Sequence, residues 1–247
     1  MPGNVLAQCL TLDFLGNLGS SGNNRPSNTP ASRDDGWDFR WGMERLTPLN
    51  SDPGLFAPIG VKLGLYKAVD RDQNWMLGGN FGVGRYGGEG DDVNLAGYER
   101  FSVSQNYVEF NAQVIYRWLN AGIFHAYVGA FAGILSISTN GSLVSEETRH
   151  NFWLCTEAHV REDLGGFNTV RPNIGFIFGV QVPFRNDYDK FFMEASYRGL
   201  GPTEYVANDD FDLVDTPGGD LPIRLDFQTQ TSVLQLLSPR IGFSHAF

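Results

Sequence analysis

Long apolar runs are missing from this 247-residue chain. No stretch approaches the roughly 18 uninterrupted apolar residues that mark a membrane-crossing helix, so a helical anchor is excluded as the organising element. Charged residues make up only 19% of the chain and sum to −10, which excludes the basic surface a nucleic-acid-binding protein needs. Cysteine occurs twice, at Cys9 and Cys155, and histidine four times. That is too little for a disulfide framework or a spaced metal cluster. No charged and then apolar leader opens the chain, so it reads as a mature or trimmed form. No cofactor is expected.

Glycine (30) and phenylalanine (19) are abundant instead, a combination that suits many strands joined by tight turns. Alternation with a period of two, the mark of a strand with two unlike faces, recurs along the chain. Trp37, Phe39, Trp41 and Met43 oppose Asp38, Arg40, Gly42 and Glu44. Ile59, Val61, Leu63 and Leu65 oppose Gly60, Lys62, Gly64 and Tyr66. Trp75, Leu77, Phe81 and Val83 oppose Met76, Gly78, Asn80 and Gly82. Val108, Phe110, Val114 and Trp118 oppose Tyr107, Glu109, Asn111 and Arg117. The stretch 122–138 is apolar on both faces, and its register depends on the turn before it. A two-residue turn at Asn120-Ala121 sends Tyr127, Phe131 and Leu135 outward and Ala126, Ala130 and Ala132 inward; a three-residue turn reverses this. Ile174, Phe176, Phe178 and Val180 oppose Asn173, Gly175, Ile177 and Gly179, and Phe191, Met193 and Tyr197 oppose Phe192, Glu194 and Arg198. An eighth strand begins near Val233 and runs through Arg240, Ile241, Gly242, Phe243, Ser244, His245 and Ala246 to Phe247.

The connections sort by length. Those around residues 70–73, 120–121 and 186–189 are short, whereas 46–57, 87–105, 139–170 and 200–232 are long. Strict alternation of short and long connections is a property of transmembrane barrels, and an even strand count places both termini on the short-turn side. The composition of the polar face separates this reading from a soluble barrel with a greasy interior. A water-facing exterior is dense in Lys, Glu, Asp and Thr, yet here that face is mostly Gly, Asn, Gln, Ser and Ala. Its few charges nearly balance: Asp38, Glu44, Glu109 and Glu194 against Arg40, Lys62, Arg117, Arg198 and Arg240. Such a set belongs in an enclosed lumen as an ion-pair network, because an unpaired buried charge costs several kcal/mol. The expected fold is therefore all-β: an eight-stranded antiparallel up-and-down barrel over residues 37–247, with short periplasmic turns and long extracellular loops. Residues 1–36, linker-like in their second half, form a periplasmic extension. On this topology Cys9 and Cys155 lie on opposite sides of the membrane and form no disulfide.

The eight strands, the alternating loops and the closing Ile241, Phe243 and Phe247 resemble the small outer-membrane β-barrel proteins of Gram-negative bacteria, the OmpA-, OmpX- and OmpW-like class. The resemblance covers roughly residues 37–247. His245 and Pro239 depart from the pattern of its last strand. It implies that Ile241, Phe243 and Phe247 serve as a signal read by the barrel-assembly machinery. It also implies contact with outer-membrane lipid and lipopolysaccharide, and an envelope-scaffold or surface-contact role through the long loops, with a possible protein partner there. Catalysis is not expected.

Two other functions are weighed. Inward glycines such as Gly60, Gly64, Gly78, Gly175 and Gly179 leave room for a narrow conduit or apolar pocket of OmpW-like kind, unless Tyr66, Met76, Tyr107 and Phe192 fill that room. A lipid A-modifying hydrolase needs Ser and His at the outer rim. His125 and His245 are at the wrong end, and His150 and His159 sit in a long loop with Ser145, Glu146, Glu147 and Glu157 at no selective spacing. The acidic stretch Glu204, Asp209, Asp210, Asp212, Asp215, Asp220 and Asp226 lacks EF-hand spacing and reads as a solvated loop. Phe152, Trp153 and Leu154 suggest either hairpins rising above the membrane or a contact surface.

Overall fold

A computed structural model of the chain describes residues 36–49, 58–86, 92–95, 98–120, 124–151, 156–183, 188–215 and 223–247. Ten strands are formed: β1 (Trp37–Arg45), β2 (Thr47–Pro48), β3 (Ile59–Ala68), β4 (Trp75–Tyr86), β5 (Asp92–Leu95), β6 (Tyr98–Asn120), β7 (His125–Asn151), β8 (Thr156–Pro183), β9 (Asp189–Asp215) and β10 (Ile223–Ala246). Eight of them pair in the antiparallel order β1-β3-β4-β6-β7-β8-β9-β10, and β10 pairs back onto β1. The sheet is thus a closed up-and-down barrel of eight strands. β2 and β5 are short additions to β10 and β6. Closure leaves no strand edge in the ring, the requirement for a sheet in lipid, where backbone N–H and C=O find no water.

The seam is tied at its end as well as along its length. Trp37 N donates to Phe247 O at 3.1 Å and Phe247 N donates to Trp37 O at 3.0 Å. This places β1's start and β10's end at the rim of the short turns. The first of those turns is held by Asp70, whose carboxylate accepts from Asn74 N at 3.1 Å and Trp75 N at 2.7 Å. Gln73 there takes φ +55°. Residues 1–35, Cys9 and Cys155 lie outside the described residues.

The expected extent of the loops needs correction. The stretches 139–170 and 200–232 are not loops, since β7 pairs with β8 as far as Asn151–Thr156 and β9 with β10 as far as Asp215–Ile223. The last strand accordingly begins at Ile223, not near Val233. Above the ring the alternation of apolar and polar side chains that betrays a strand is lost while pairing continues. The hairpin tip with Phe152, Trp153 and Leu154 is outside the described residues. Of the two registers open to the fifth expected strand, the one found has Tyr127, Phe131 and Leu135 inward, exposed by 5% or less. Ala130 and Ala132 face out, opposite Val114 and Ala112. A bulge between Arg117 and Leu119 sets this register, a local irregularity that periodicity cannot reveal.

The ladder between β8 and β9 ends at Ile174–Gly199, and above that pair the two strands are not bonded to each other among the described residues. The wall therefore continues as two parts, the sheet β5-β6-β7-β8 and the hairpin β9-β10. Gln105 on β6 bridges them, donating Nε2 to Val206 O at 2.9 Å. Beneath, Leu46, Tyr107, Leu135, Leu200, Tyr205, Leu234 and Leu236 pack as a buried apolar core. That core closes the long-hairpin end of the lumen.

Candidate functional site

The interior of the ring is the only place where this chain concentrates ionic groups away from water among its described residues, and its geometry follows from strand pleat. On β1, Asp38, Arg40 and Glu44 share the inward face. β3 adds Lys62, β6 adds Glu109 and Arg117, β9 adds Glu194 and Arg198, and β10 adds Arg240. All but Arg117, whose side chain is 11% exposed, are fully or nearly buried.

The structure brings all nine together. Near the short-turn end Asp38 meets Arg40 and Arg117, each at 3.1 Å. Glu194 lies 4.0 Å from Arg40 and 3.7 Å from Arg240. Deeper in, Glu44 meets Lys62 at 2.9 Å and Arg198 at 3.5 Å, and Glu109 pairs directly with both Lys62 and Arg198. Hydroxyls add donors to two of the four carboxylates. Tyr107 and Ser238 donate to Glu44, each at 2.9 Å, and Tyr127 donates to Glu194 at 3.0 Å. A run of amides crosses the same layer: Asn173 donates to Asn111, Asn111 to Asn80, and Asn80 to Gln113, all at 2.7–2.9 Å, and Tyr66 donates to Gln113 at 2.6 Å.

Periodicity places Tyr66 and Tyr107 on the inward face, whereas the face of Tyr127 depends on the register of a strand apolar on both sides. The cations stack on this aromatic set. Arg40 lies 4.8 Å from the ring centres of both Tyr66 and Tyr127, and Arg240 lies 4.8 Å from that of Phe192. Such stacking adds about 0.5–2 kcal/mol per pair when desolvated.

The inward glycines are the complement of those rings. Tyr107 lies over Gly60 and Gly84, Tyr66 over Gly64 and Gly78, Phe131 over Gly175, and Tyr127 over Gly179. Space that the sequence leaves open for a conduit is occupied by aromatic side chains, and the interstice among Lys62, Asn80, Asn111, Gln113, Phe131 and Glu194 does not admit a water molecule. Gly179 offers a test, because the three atoms nearest to an added Cβ all belong to the Tyr127 side chain. Gly179→Ala is expected to cost about 1–3 kcal/mol, the usual penalty of overpacking. In a Tyr127→Ala background the same change should cost almost nothing, as read from urea unfolding of the two pairs of variants.

Outward, the pattern inverts. Trp41, Leu63, Leu77, Phe110, Phe176, Phe178, Met193 and Ile241 are each 42–66% exposed. Aromatic contacts cluster towards the short-turn end, with Trp75–Tyr116 at 4.7 Å and Trp41–Phe243 at 5.2 Å. Ile241, Phe243 and Phe247 belong to this outer surface at 54%, 38% and 52% exposure. His245 is also at the rim, its Nδ1 2.7 Å from Asp189 in an exposed pair. Of the other histidines, His150 and His159 lie on the paired stems of β7 and β8. Glu204, Asp209, Asp210, Asp212 and Asp215 lie on β9 and Asp226 on β10. Among the described residues, no group of three or more His, Cys, Asp or Glu is placed to hold a metal ion.

No protein-family model and no curated protein matches the chain. Solved structures with a similar course include Neisserial surface protein A (8% identity, 86% of this chain and 97% of that one, TM-score 0.47). Ail, the attachment invasion locus protein of Yersinia pestis, is 12% identical over 85% of this chain and 96% of its own, with TM-score 0.42. A major outer membrane protein from Thermus thermophilus is 12% identical over 85% of this chain and 99% of its own, with TM-score 0.44. These structural neighbours are small outer-membrane β-barrel proteins, the class that the sequence resembles.

Proposed function

We propose that the chain is an integral protein of the bacterial outer membrane, with both barrel ends of the chain in the periplasm, and that it acts as an envelope scaffold or surface-contact protein through its long hairpins. One observation carries the reading: large apolar side chains cover the outside of a closed ring while its ion pairs are inside. In water such an exterior is a high-energy surface, and among acyl chains it is the low-energy one. The long hairpins then stand outside the cell, where a protein partner would meet them. Ile241, Phe243 and Phe247 supply the signal for the barrel-assembly machinery.

A filled polar layer beneath an apolar core favours a scaffold over a conduit, and among the described residues no geometry favours a rim hydrolase. Two measurements test the reading. The protein is expected to require detergent for extraction and to migrate faster on a detergent gel when unheated than when boiled. Reconstituted in planar bilayers, it should show conductance near zero. Solubility without detergent would overturn the membrane assignment, and steady ion conductance would overturn the sealed lumen.

A further inference from the structure

Four successive outward rows cross β1, β3 and β4 between the bilayer's expected centre and its outer edge. They run Phe39–Leu65–Gly79, Trp41–Leu63–Phe81, Met43–Val61–Val83 and Arg45–Ile59–Arg85. The apolar surface therefore ends, on adjoining strands, in two arginines that flank Ile59. Both arginines are exposed, and neither makes an ion pair or side-chain hydrogen bond with a described residue. Their position is unusual for this chain, because the four long connections above them hold seventeen Asp and Glu against Arg100, Arg149, Arg161 and Arg224. A second feature lies below. Where Gly79, Ala112 and Ala132 replace bulky outward side chains, the surface sinks into an apolar groove of about 670 Å³ walled by Leu63, Phe81 and Phe110.

Six residues separate Arg85 from Gly79, roughly 20 Å along a strand. With the usual 45° tilt that is about 14 Å of depth, half of a hydrocarbon core of about 30 Å. A cation pair at the outer boundary and a groove at mid-depth on the same strands match the two ends of one outer-leaflet lipid.

We propose that this face binds one lipid A moiety of lipopolysaccharide, with Arg45 and Arg85 against its phosphates and an acyl chain in the groove over Gly79 and Ala112. The proposal rests on the outer-membrane reading and names the lipid partner of that surface. Charge complementarity selects the occupant. A zwitterionic headgroup offers the arginines no net charge, whereas phosphate monoesters on a disaccharide present separated anions for two guanidinium groups.

Native mass spectrometry of the detergent-purified full chain tests it, with lipid A and its dephosphorylated form as probes. The unmodified chain should retain one equivalent of lipid A and bind the dephosphorylated form about 30-fold more weakly, since each surface cation contributes about fivefold. Arg45→Gln with Arg85→Gln should lose the same 30-fold for lipid A and nothing for the dephosphorylated form. Ala112→Phe, or Ala132→Leu where the first does not fold, should weaken both forms. Equal retention of the two lipids, or unchanged retention by the double arginine variant, overturns the proposal. Each variant is checked for heat-modifiable migration. If the unmodified chain fails that check and is soluble without detergent, it is the outer-membrane reading that falls.

Discussion

Replacing Glu109 by Gln should destabilise the barrel by about 3–5 kcal/mol, the cost of removing one partner from a buried ion pair. The change keeps the volume and deletes the charge that holds Lys62 and Arg198 together at the centre of the lumen. Glu44 remains, 2.9 Å from Lys62 and 3.5 Å from Arg198, but one carboxylate then faces two cations that have no water to turn to. The rim provides the control. Asp189→Asn removes an exposed partner of His245, and exposed pairs contribute about 0–1 kcal/mol. Urea midpoints of the two variants, measured by refolding into lipid vesicles, should differ accordingly. A loss below about 1 kcal/mol for Glu109→Gln would mean that the lumen is hydrated enough to screen its charges.

The second large effect concerns the outer surface. Phe178, in the middle of the outward run of β8 and 54% exposed, should lose about 2–4 kcal/mol when changed to Arg, whereas Val233→Arg should lose about 0–1. Val233 is 52% exposed but lies beyond the outward Gln235 on β10, nearer the long-hairpin end. For a barrel surrounded by water the two substitutions would be equally mild, because both positions are open. The difference between them thus measures depth in a bilayer, and its absence would refute the membrane assignment.

These two tests also mark how far the chain can be read without coordinates. The ring itself was legible, because an apolar outer face and a polar lumen impose alternation at Trp37–Arg45, Ile59–Ala68 and Trp75–Tyr86. The nine ionic positions were legible for the same reason. Each stands on the face opposite a run of large apolar side chains, so its location inside follows from pleat alone. Their pairing was not, since Lys62 reaching both Glu44 and Glu109 depends on how β1, β3 and β6 curve toward one another. β7 hid its register because Phe131 and Leu135 fill the interior while Val128 and Ile134 face out. Hydrophobicity is equal on both sides there, and only the bulge beside Leu119 decides. The upper hairpins hid for the opposite reason, having no uniformly apolar face to mark them.

The seam between β1 and β10 governs the order of assembly. Trp37 and Phe247 are bonded neighbours in space yet lie at opposite ends of the ring's sequence. Every other junction of the eight can zip from a local turn, but this one must wait until all intervening strands are in place. Pairing of such sequence separation is slow to form. Until that pairing forms, the sheet has two bare edges, and an escort that shields them until closure is expected to raise the yield of folded barrels.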